Sequence, residues 1–260
     1  MRHTAGSASL LAVSLKSLVG SLTVAARLIW QRHRWSVPLS LVAGTFFVRL
    51  ASEVSEHELD PFDRGAQRLV DGWRGSLDAL MVFMTDAGSF LPVIVVTSAV
   101  LLALAVSGRK REARHLLFSA VGCVLLNVLL KLLFHRARPD AEPPYLLPRP
   151  TSLSFPSGHT MGNAGVVGSL VVIIRGARPS RWVSVTAAIV GALWVGGVAL
   201  SRVYLGAHYP SDVLGGLLAA AAWLSAVTGW LYPRLLPHER TNLEPSRLDD
   251  SERQARTRLD

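Results

Sequence analysis

The stretch Ser201–Asp212 reads SRVYLGAHYPSD and sits between two apolar runs, at about 182–200 and about 210–232. About 20 apolar residues span the hydrocarbon core of a bilayer as a helix, so the runs read as membrane helices and the stretch between them lies at a membrane surface. It carries a cation (Arg202), an imidazole (His208) and a carboxylate (Asp212). Pro210 stands where a helix can begin, its fixed φ suiting the first helical position. With a helix opening there, His208 lies just ahead of it and Asp212 in its first turn, within reach of a carboxylate–imidazole hydrogen bond. Such a bond fixes one tautomer and leaves the other ring nitrogen as a nucleophile or base. On its own the stretch is equally well a loop histidine beside a helix cap.

Further apolar runs lie at about 36–52, 89–107, 115–134 and 159–175. Half of the 260 residues are hydrophobic, and the mean hydropathy is positive. A soluble domain of this length does not need several such runs. The expected fold is all-α: a polytopic membrane domain over residues 36–232, with six transmembrane helices and its active site at the extracytoplasmic face. Some runs are short, so flanking polar residues or local thinning must make up the length. Residues 77–88 place Leu77, Leu80, Met81 and Met84 on one face, a short interfacial helix. The segment 53–76 starts with Glu53, Glu56, Glu58, Asp60 and Asp63 and reads as an extramembrane loop.

Outside that domain, Leu11, Leu15, Leu18, Leu22 and Ile29 recur at helical spacing. Residues 1–35 therefore read as an amphipathic cytoplasmic segment lying on the membrane. Lys16 interrupts this stretch and no A-x-A site follows, which disfavours a cleaved signal peptide. The tail 233–260, rich in Arg, Asp and Glu, reads as a disordered cytoplasmic extension. The net charge of +9 is gathered beside the apolar runs, without the aromatic-interleaved patch or zinc-finger spacing of a nucleic-acid binder. The single cysteine, Cys123, excludes an intrachain disulfide and a cysteine-rich metal site.

Loop charge sets the orientation. Between the second and third runs, Arg109, Lys110, Arg111 and Arg114 stand against Glu112. Between the fourth and fifth stand Arg175, Arg178 and Arg181 with no acid. Both loops are expected in the cytoplasm. Both termini then lie inside a plasma (inner) membrane, and 53–76, 135–157 and 201–209 lie outside. Gly158 with Gly162, Ala164 with Gly168, Ala192 with Gly196, and Gly215 with Gly216 offer small-residue spacing for close helix packing.

Two more clusters face the outer side. Lys131 and Arg138, seven residues apart, are expected on one face of the third helix. Alone, they are snorkelling interface anchors. Phe155-Pro156-Ser157-Gly158-His159-Thr160 leads into the fourth run. Ser157 suits an N-cap, and Gly158 bares the first backbone N–H groups, so the helix start is an anion site with His159 beside it. Together the clusters suit phosphoryl transfer. Lys131, Arg138 and Arg202 can hold the non-bridging oxygens, with Ser157 and the Gly158 N–H completing the cradle. His208 can attack phosphorus in line, Asp212 can stabilise its cationic form, and His159 can protonate the leaving oxygen and then activate water. No outer carboxylate cluster suits magnesium or zinc, so no metal or other cofactor is expected. His135, Arg136, Asp140, Glu142 and Arg149 read as a solvated loop, and His3, His33, His57, His115 and His238 as surface residues. Asn127, one turn before Lys131, reads as an interhelical hydrogen-bonding residue.

The three clusters match the pattern K-x6-RP, PSGH, SR-x5-H-x3-D, with Lys131 and Arg138-Pro139; Pro156 to His159; and Ser201-Arg202, His208 and Asp212. In this the chain resembles the phosphatidic acid phosphatase type 2 superfamily, over about residues 77–232. The resemblance implies a six-helix membrane core and a metal-independent lipid phosphate phosphatase working through a phosphohistidine. His208 would be the nucleophile, His159 the acid and Asp212 the orienting carboxylate. Lys131, Arg138, Ser157, Gly158 and Arg202 would bind phosphate. Implied substrates are phosphatidic acid, phosphatidylglycerol phosphate or undecaprenyl pyrophosphate, presented from the bilayer. A phosphoryl or head-group transferase would use the same residues. A non-catalytic lipid-binding or transport protein would need neither histidine nor Asp212. The vanadium-dependent haloperoxidases share the anion cradle but are soluble.

Overall fold

The computed structural model of the chain describes residues 35–139, 146, 152–177 and 179–231, and the regular elements among them are all α-helices. The amphipathic segment expected before Trp35, the charged tail at 233–260 and the loop positions Asp140, Glu142 and Arg149 lie outside the described residues. The helices are α1 (Ser36–Ser55), α2 (Asp60–Asp71), α3 (Asp78–Ala87), α4 (Phe90–Val106), α5 (Lys110–Phe134), α6 (Gly158–Gly176), α7 (Arg181–Tyr204) and α8 (Pro210–Leu231). Each apolar run of the sequence became one of them, with ends set by local chemistry. Ser180 caps α7 through the Val183 N–H, Gly108 with φ +71° follows α4, and Pro210 opens α8.

Four helices, α1, α5, α7 and α8, are long and apolar enough to cross a membrane, and α3 with α4 makes a fifth if that pair, bent by 51°, is one span. Their outward faces carry exposed apolar side chains such as Phe46, Leu102, Leu129 and Leu193, the surface that lipid tails solvate best. Helix α6 falls short of that test because its first half carries His159, Thr160 and Asn163 among glycines. It packs instead against α5, α7 and α8, and Thr160 and Asn163 are buried. Helix α1 lies along α8, and α3 along α7.

Three expectations need correction. The segment 53–76 is not all loop. It contains α2, begun by Asp60-Pro61 and carrying Asp60 and Asp63 in its first turn and Arg68 in its last, charges that suit the helix dipole. Its inner side buries Asp63 and Val70, and Gln67 donates to the Val203 carbonyl at 3.1 Å. His115 is not at the surface. It is fully buried, with Nδ1 2.7 Å from Ser169 Oγ and Nε2 2.9 Å from Thr228 Oγ1, which pins α5 to α6 and α8. The small-residue pairs are unequal. A β-carbon on Gly168 would strike Leu224 and one on Gly216 the Ser157 carbonyl, whereas Gly162 and Gly196 face open space.

Candidate active site

One end of the bundle gathers the C-terminal ends of α5 and α7, the N-terminal ends of α6 and α8, and α2. The non-helical segment Ser152–Ser157 ties these ends together. Lys131 Nζ donates to the Leu153 carbonyl. Arg138 donates to the Ser152 carbonyl (2.6 Å), Ser152 Oγ (2.9 Å) and the Ala207 carbonyl (2.6 Å). The Ser154 N–H donates to the Arg136 carbonyl at 2.8 Å, and the Ser157 N–H to the Asp212 carbonyl at 2.9 Å. Phe155 anchors the segment, stacking on Phe47 at 5.8 Å and meeting Phe134 edge-on at 5.2 Å.

Lys131 and Arg138 do not share a helix face. His135 turns into the left-handed region (φ 45°, ψ 27°) and ends α5, so Arg138 approaches the pocket from the loop. Both cations still converge on Ser152–Leu153. Ser157 is the N-cap residue of α6 by backbone, but its hydroxyl makes no cap bond and instead accepts from Thr160 Oγ1 at 3.1 Å. The first-turn N–H groups of α6 therefore receive no side-chain cap from Ser157 among the described residues. Gly158 packs against Asn127, whose Oδ1 a β-carbon there would approach to 3.0 Å. Asn127 in turn donates to the Pro156 carbonyl at 3.0 Å, the interhelical role its position suggested.

His208 sits in the turn between α7 and α8, almost wholly buried. Its Nδ1 lies 3.3 Å from Asp212 Oδ2 and its Nε2 3.3 Å from Arg138 Nη1. A guanidinium only donates, so Nε2 accepts, and the imidazole is the neutral Nδ1–H tautomer. Burial lowers its pKa to about 4, with Arg138 and Arg202 acting in the same direction and Asp212 opposing them. Burial also pulls Arg138 below the ordinary guanidinium value. The Asp212 carboxylate is fixed on both oxygens: Oδ1 by Arg136 Nη1 at 2.7 Å, and Oδ2 by Ser154 Oγ at 2.5 Å and the Tyr209 N–H at 2.9 Å.

Arg202 is 5 % exposed. Its Nη1 donates to Thr85 Oγ1 at 3.1 Å, and its buried Nε has no partner among the described residues. Thr85 and Ser201 share a hydrogen bond of 2.8 Å, and the Ser201 hydroxyl continues to the Val198 carbonyl. The half-buried His159, in the first turn of α6, lies in the electrostatic field of Arg202, His208, Arg138 and Lys131. All eight residues singled out in the sequence therefore converge on one end of the bundle. Three cations and a helix N-terminus without a side-chain cap among the described residues lie beside two imidazoles, an arrangement whose charge suits a multiply charged anion.

Residues 112–235 match the PAP2 superfamily. The chain is 32% identical over 192 residues to phosphatidylglycerophosphatase B of Bacillus subtilis, covering 69% of this chain and 87% of that protein. The chain belongs to the PAP2 superfamily. It is also similar to undecaprenyl-diphosphatase BcrC of Bacillus subtilis, with 32% identity over 149 residues, 55% of this chain and 69% of that one. The crystal structure of the transmembrane PAP2-type phosphatidylglycerolphosphate phosphatase from Bacillus subtilis superposes with a TM-score of 0.62 at 28% identity, covering 74% of this chain and 95% of that one. With its apolar helices, this PAP2 protein is a multi-pass membrane protein.

The sequence reading of this PAP2 site missed Arg136, Asp63, Ser154, Ser211 and Thr85. Arg136 is no solvated loop residue. Its Nη1 donates to Asp212 Oδ1 and Ser211 Oγ and its Nη2 to Asp63 Oδ2, each at 2.7 Å, and its guanidinium lies 4.3 Å over the Tyr209 ring. Burial works against its charge, but Asp212 and Asp63 outweigh that and hold its pKa above the ordinary value. Nothing in HRARP distinguishes Arg136 from a solvated cation, and Asp63 lies in a segment whose other acids are solvated.

Proposed function

We propose that the protein is a metal-independent lipid phosphate phosphatase that works through a phosphohistidine on His208. The observation that carries the reading is the state of His208, with Nδ1–H directed at Asp212 and an accepting Nε2 beside Arg138, in the field of Arg202. Nε2 attacks phosphorus and the bond to the lipid oxygen breaks. His159 gives its proton to the leaving oxygen, and Asp212 stabilises the cationic imidazole. His159 then takes a proton from water as that water attacks phosphorus. The P–N bond breaks, orthophosphate leaves, and both histidines return to their starting states. Lys131, Arg138, Arg202, the Ser157 hydroxyl and the Gly158 N–H hold the non-bridging oxygens as charge shifts among them. The fixed cations supply the neutralisation that a metal pair supplies elsewhere.

In this reading α6 also crosses the membrane, shielded from lipid by its neighbours, so that α1, the α3–α4 pair, α5, α6, α7 and α8 make six spans. The end opposite the site carries Arg109, Lys110, Arg111, Arg114, Arg175 and Arg181, a charge bias that supports a cytoplasmic position for it and an outer-face position for the site in the plasma membrane. The substrate's tails stay in the bilayer while its phosphate enters between helix ends. Names of the relatives support a phosphatidylglycerol phosphate or a polyprenyl pyrophosphate, and phosphatidic acid presents the same terminal phosphate. The test is phosphate release from each of the three lipids in detergent with EDTA. The expected result is EDTA-resistant turnover of at least one, lost in His208→Ala and His159→Ala. Robust turnover by His208→Ala rejects the phosphohistidine route.

A further inference from the structure

We propose that Arg136 and Asp63 are positioning residues for this reaction, Arg136 orienting the Asp212 carboxylate towards His208 and Asp63 keeping Arg136 from neutralising it. The inference rests on the phosphohistidine reading above, and it gives α2, which lies outside the segment matching the family, a part in the chemistry. Asp212 uses Oδ2 for His208 and Ser154 and Oδ1 for Arg136. Rotation of the carboxylate would carry Oδ2 away from the imidazole, and Arg136 on the other oxygen opposes that rotation. A guanidinium bound to Asp212 alone would also draw off the negative charge that the imidazole needs as it becomes cationic. Asp63 supplies the counterweight. Its Oδ2 takes Arg136 Nη2 at 2.7 Å and the Ser211 hydroxyl at 2.6 Å, and its Oδ1 takes the Ser211 N–H at 2.9 Å.

Asp63 and Asp212 are 1% and 0% exposed. Burying two carboxylates with one guanidinium costs solvation that an apolar contact would avoid, and orientation of Asp212 is the return. Asp63 also accepts an N–H from the first turn of α8, so α2 fixes the helix that carries Asp212. The charged groups facing His208 are Asp212 from α8, Arg138 from the loop, Arg202 from α7 and His159 from α6, with Lys131 of α5 behind them. Arg136 and Asp63 act on His208 through Asp212.

Removing either partner should therefore move the histidine in opposite directions. Asp63→Asn leaves Arg136 unopposed on Asp212, and His208 becomes less basic. Arg136→Gln leaves Asp212 with its full charge, and His208 becomes more basic. The experiment measures kcat, KM and the acid limb of kcat/KM for the full chain in detergent, on the lipid that the wild type turns over best. Comparison on one lipid cancels the substrate's own ionisation. Expected are a fall in kcat of about tenfold in each variant, what one hydrogen bond to a charged group is worth, and little change in KM. The limb should move down in Asp63→Asn and up in Arg136→Gln by about half a pH unit or more. A merely structural role lowers the yield of active enzyme and moves neither limb, and that result overturns the proposal. So does a wild-type kcat in both variants. If Arg136→Gln cannot be purified folded, Arg136→Lys carries the test, because one ammonium cannot span both carboxylates. A wild-type kcat and limb in that variant overturn the proposal equally. His208→Ala is run alongside: turnover by it rejects the phosphohistidine reading, whereas its inactivity beside unaffected Asp63→Asn and Arg136→Gln rejects this inference alone.

Discussion

Gly216 on α8 faces the Ser157 carbonyl so closely that a β-carbon there would lie 2.9 Å from its oxygen, with the Met161 N–H at 3.4 Å. The atoms it would strike are backbone, which cannot rotate aside, and they belong to the start of α6 where the anion site is proposed. Gly216→Ala should therefore push the α6 N-terminus and His159 away from His208. The expected outcome is a loss of about 1–3 kcal/mol of stability and a fall in turnover of at least tenfold in the phosphate-release assay. Gly196→Ala, on α7, meets nothing within 4 Å and should leave both unchanged. Equal behaviour of the two variants would contradict the tight seat assigned to α6.

Arg202 enters the site with one guanidinium nitrogen engaged by Thr85 and its buried Nε unpaired among the described residues. A phosphate oxygen is the partner that such a donor suits. Orthovanadate or orthophosphate should raise the thermal midpoint of the purified protein, by up to ~2.7 kcal/mol of stabilisation at a hundredfold excess over Kd. Arg202→Ala should abolish the shift. Arg202→Lys, which lacks the planar fork, should lower kcat/KM by about a hundredfold. Thr85→Val should lower kcat/KM too, by less, since it frees Arg202 without removing it. An undiminished midpoint shift in Arg202→Ala would place the anion elsewhere.

How much of this was legible in the sequence follows from the physics of each part. Apolar runs announced α1, α4, α5, α6, α7 and α8 because lipid demands nothing subtler of a span. Helix α2 was hidden because its inner face is polar, with Asp63 and Gln67 bonding to groups that other segments supply. Three short clusters at fixed spacing gave the eight candidate site residues, since phosphate chemistry restricts which side chains can serve. The residues that hold those in place were not legible. Arg136, Ser154 and Thr85 owe their roles to distant partners, and a loop arginine or a helix threonine looks the same in sequence whether or not such a partner exists. The pairing of Lys131 with Arg138 on one helix failed for a local reason, the left-handed turn at His135.

The pH response of His208 has a definite sign. Its folded pKa of about 4 lies below the ordinary 6.5, so between these values the unfolded chain binds more protons than the folded one. Stability attached to His208 is complete above pH 6.5 and is lost as pH falls towards 4. The thermal midpoint of the wild type should drop more steeply over that window than that of His208→Gln, which has no imidazole to charge. The midpoints of both in detergent, followed from pH 7 to pH 4, check this. Parallel curves would mean that His208 is not buried as a neutral imidazole.

Sidedness can be read with thiol chemistry because the single native cysteine, Cys123, is fully buried. Ser76 is exposed beside Trp73 and Arg74, at the end of the bundle that holds the site, and Ser107 is exposed at the opposite end next to the Arg109–Arg114 cluster. With the basic end inside, Ser76→Cys should react with a membrane-impermeant maleimide in intact cells. Ser107→Cys should react only after the membrane is opened, and the parent protein should stay unlabelled throughout. The opposite pattern would put the site in the cytoplasm and leave the basic loops outside, against the charge bias that orients membrane helices. Labelling of both positions in intact cells would mean that the two ends are not separated by the bilayer, and the six-span arrangement would fail with the orientation.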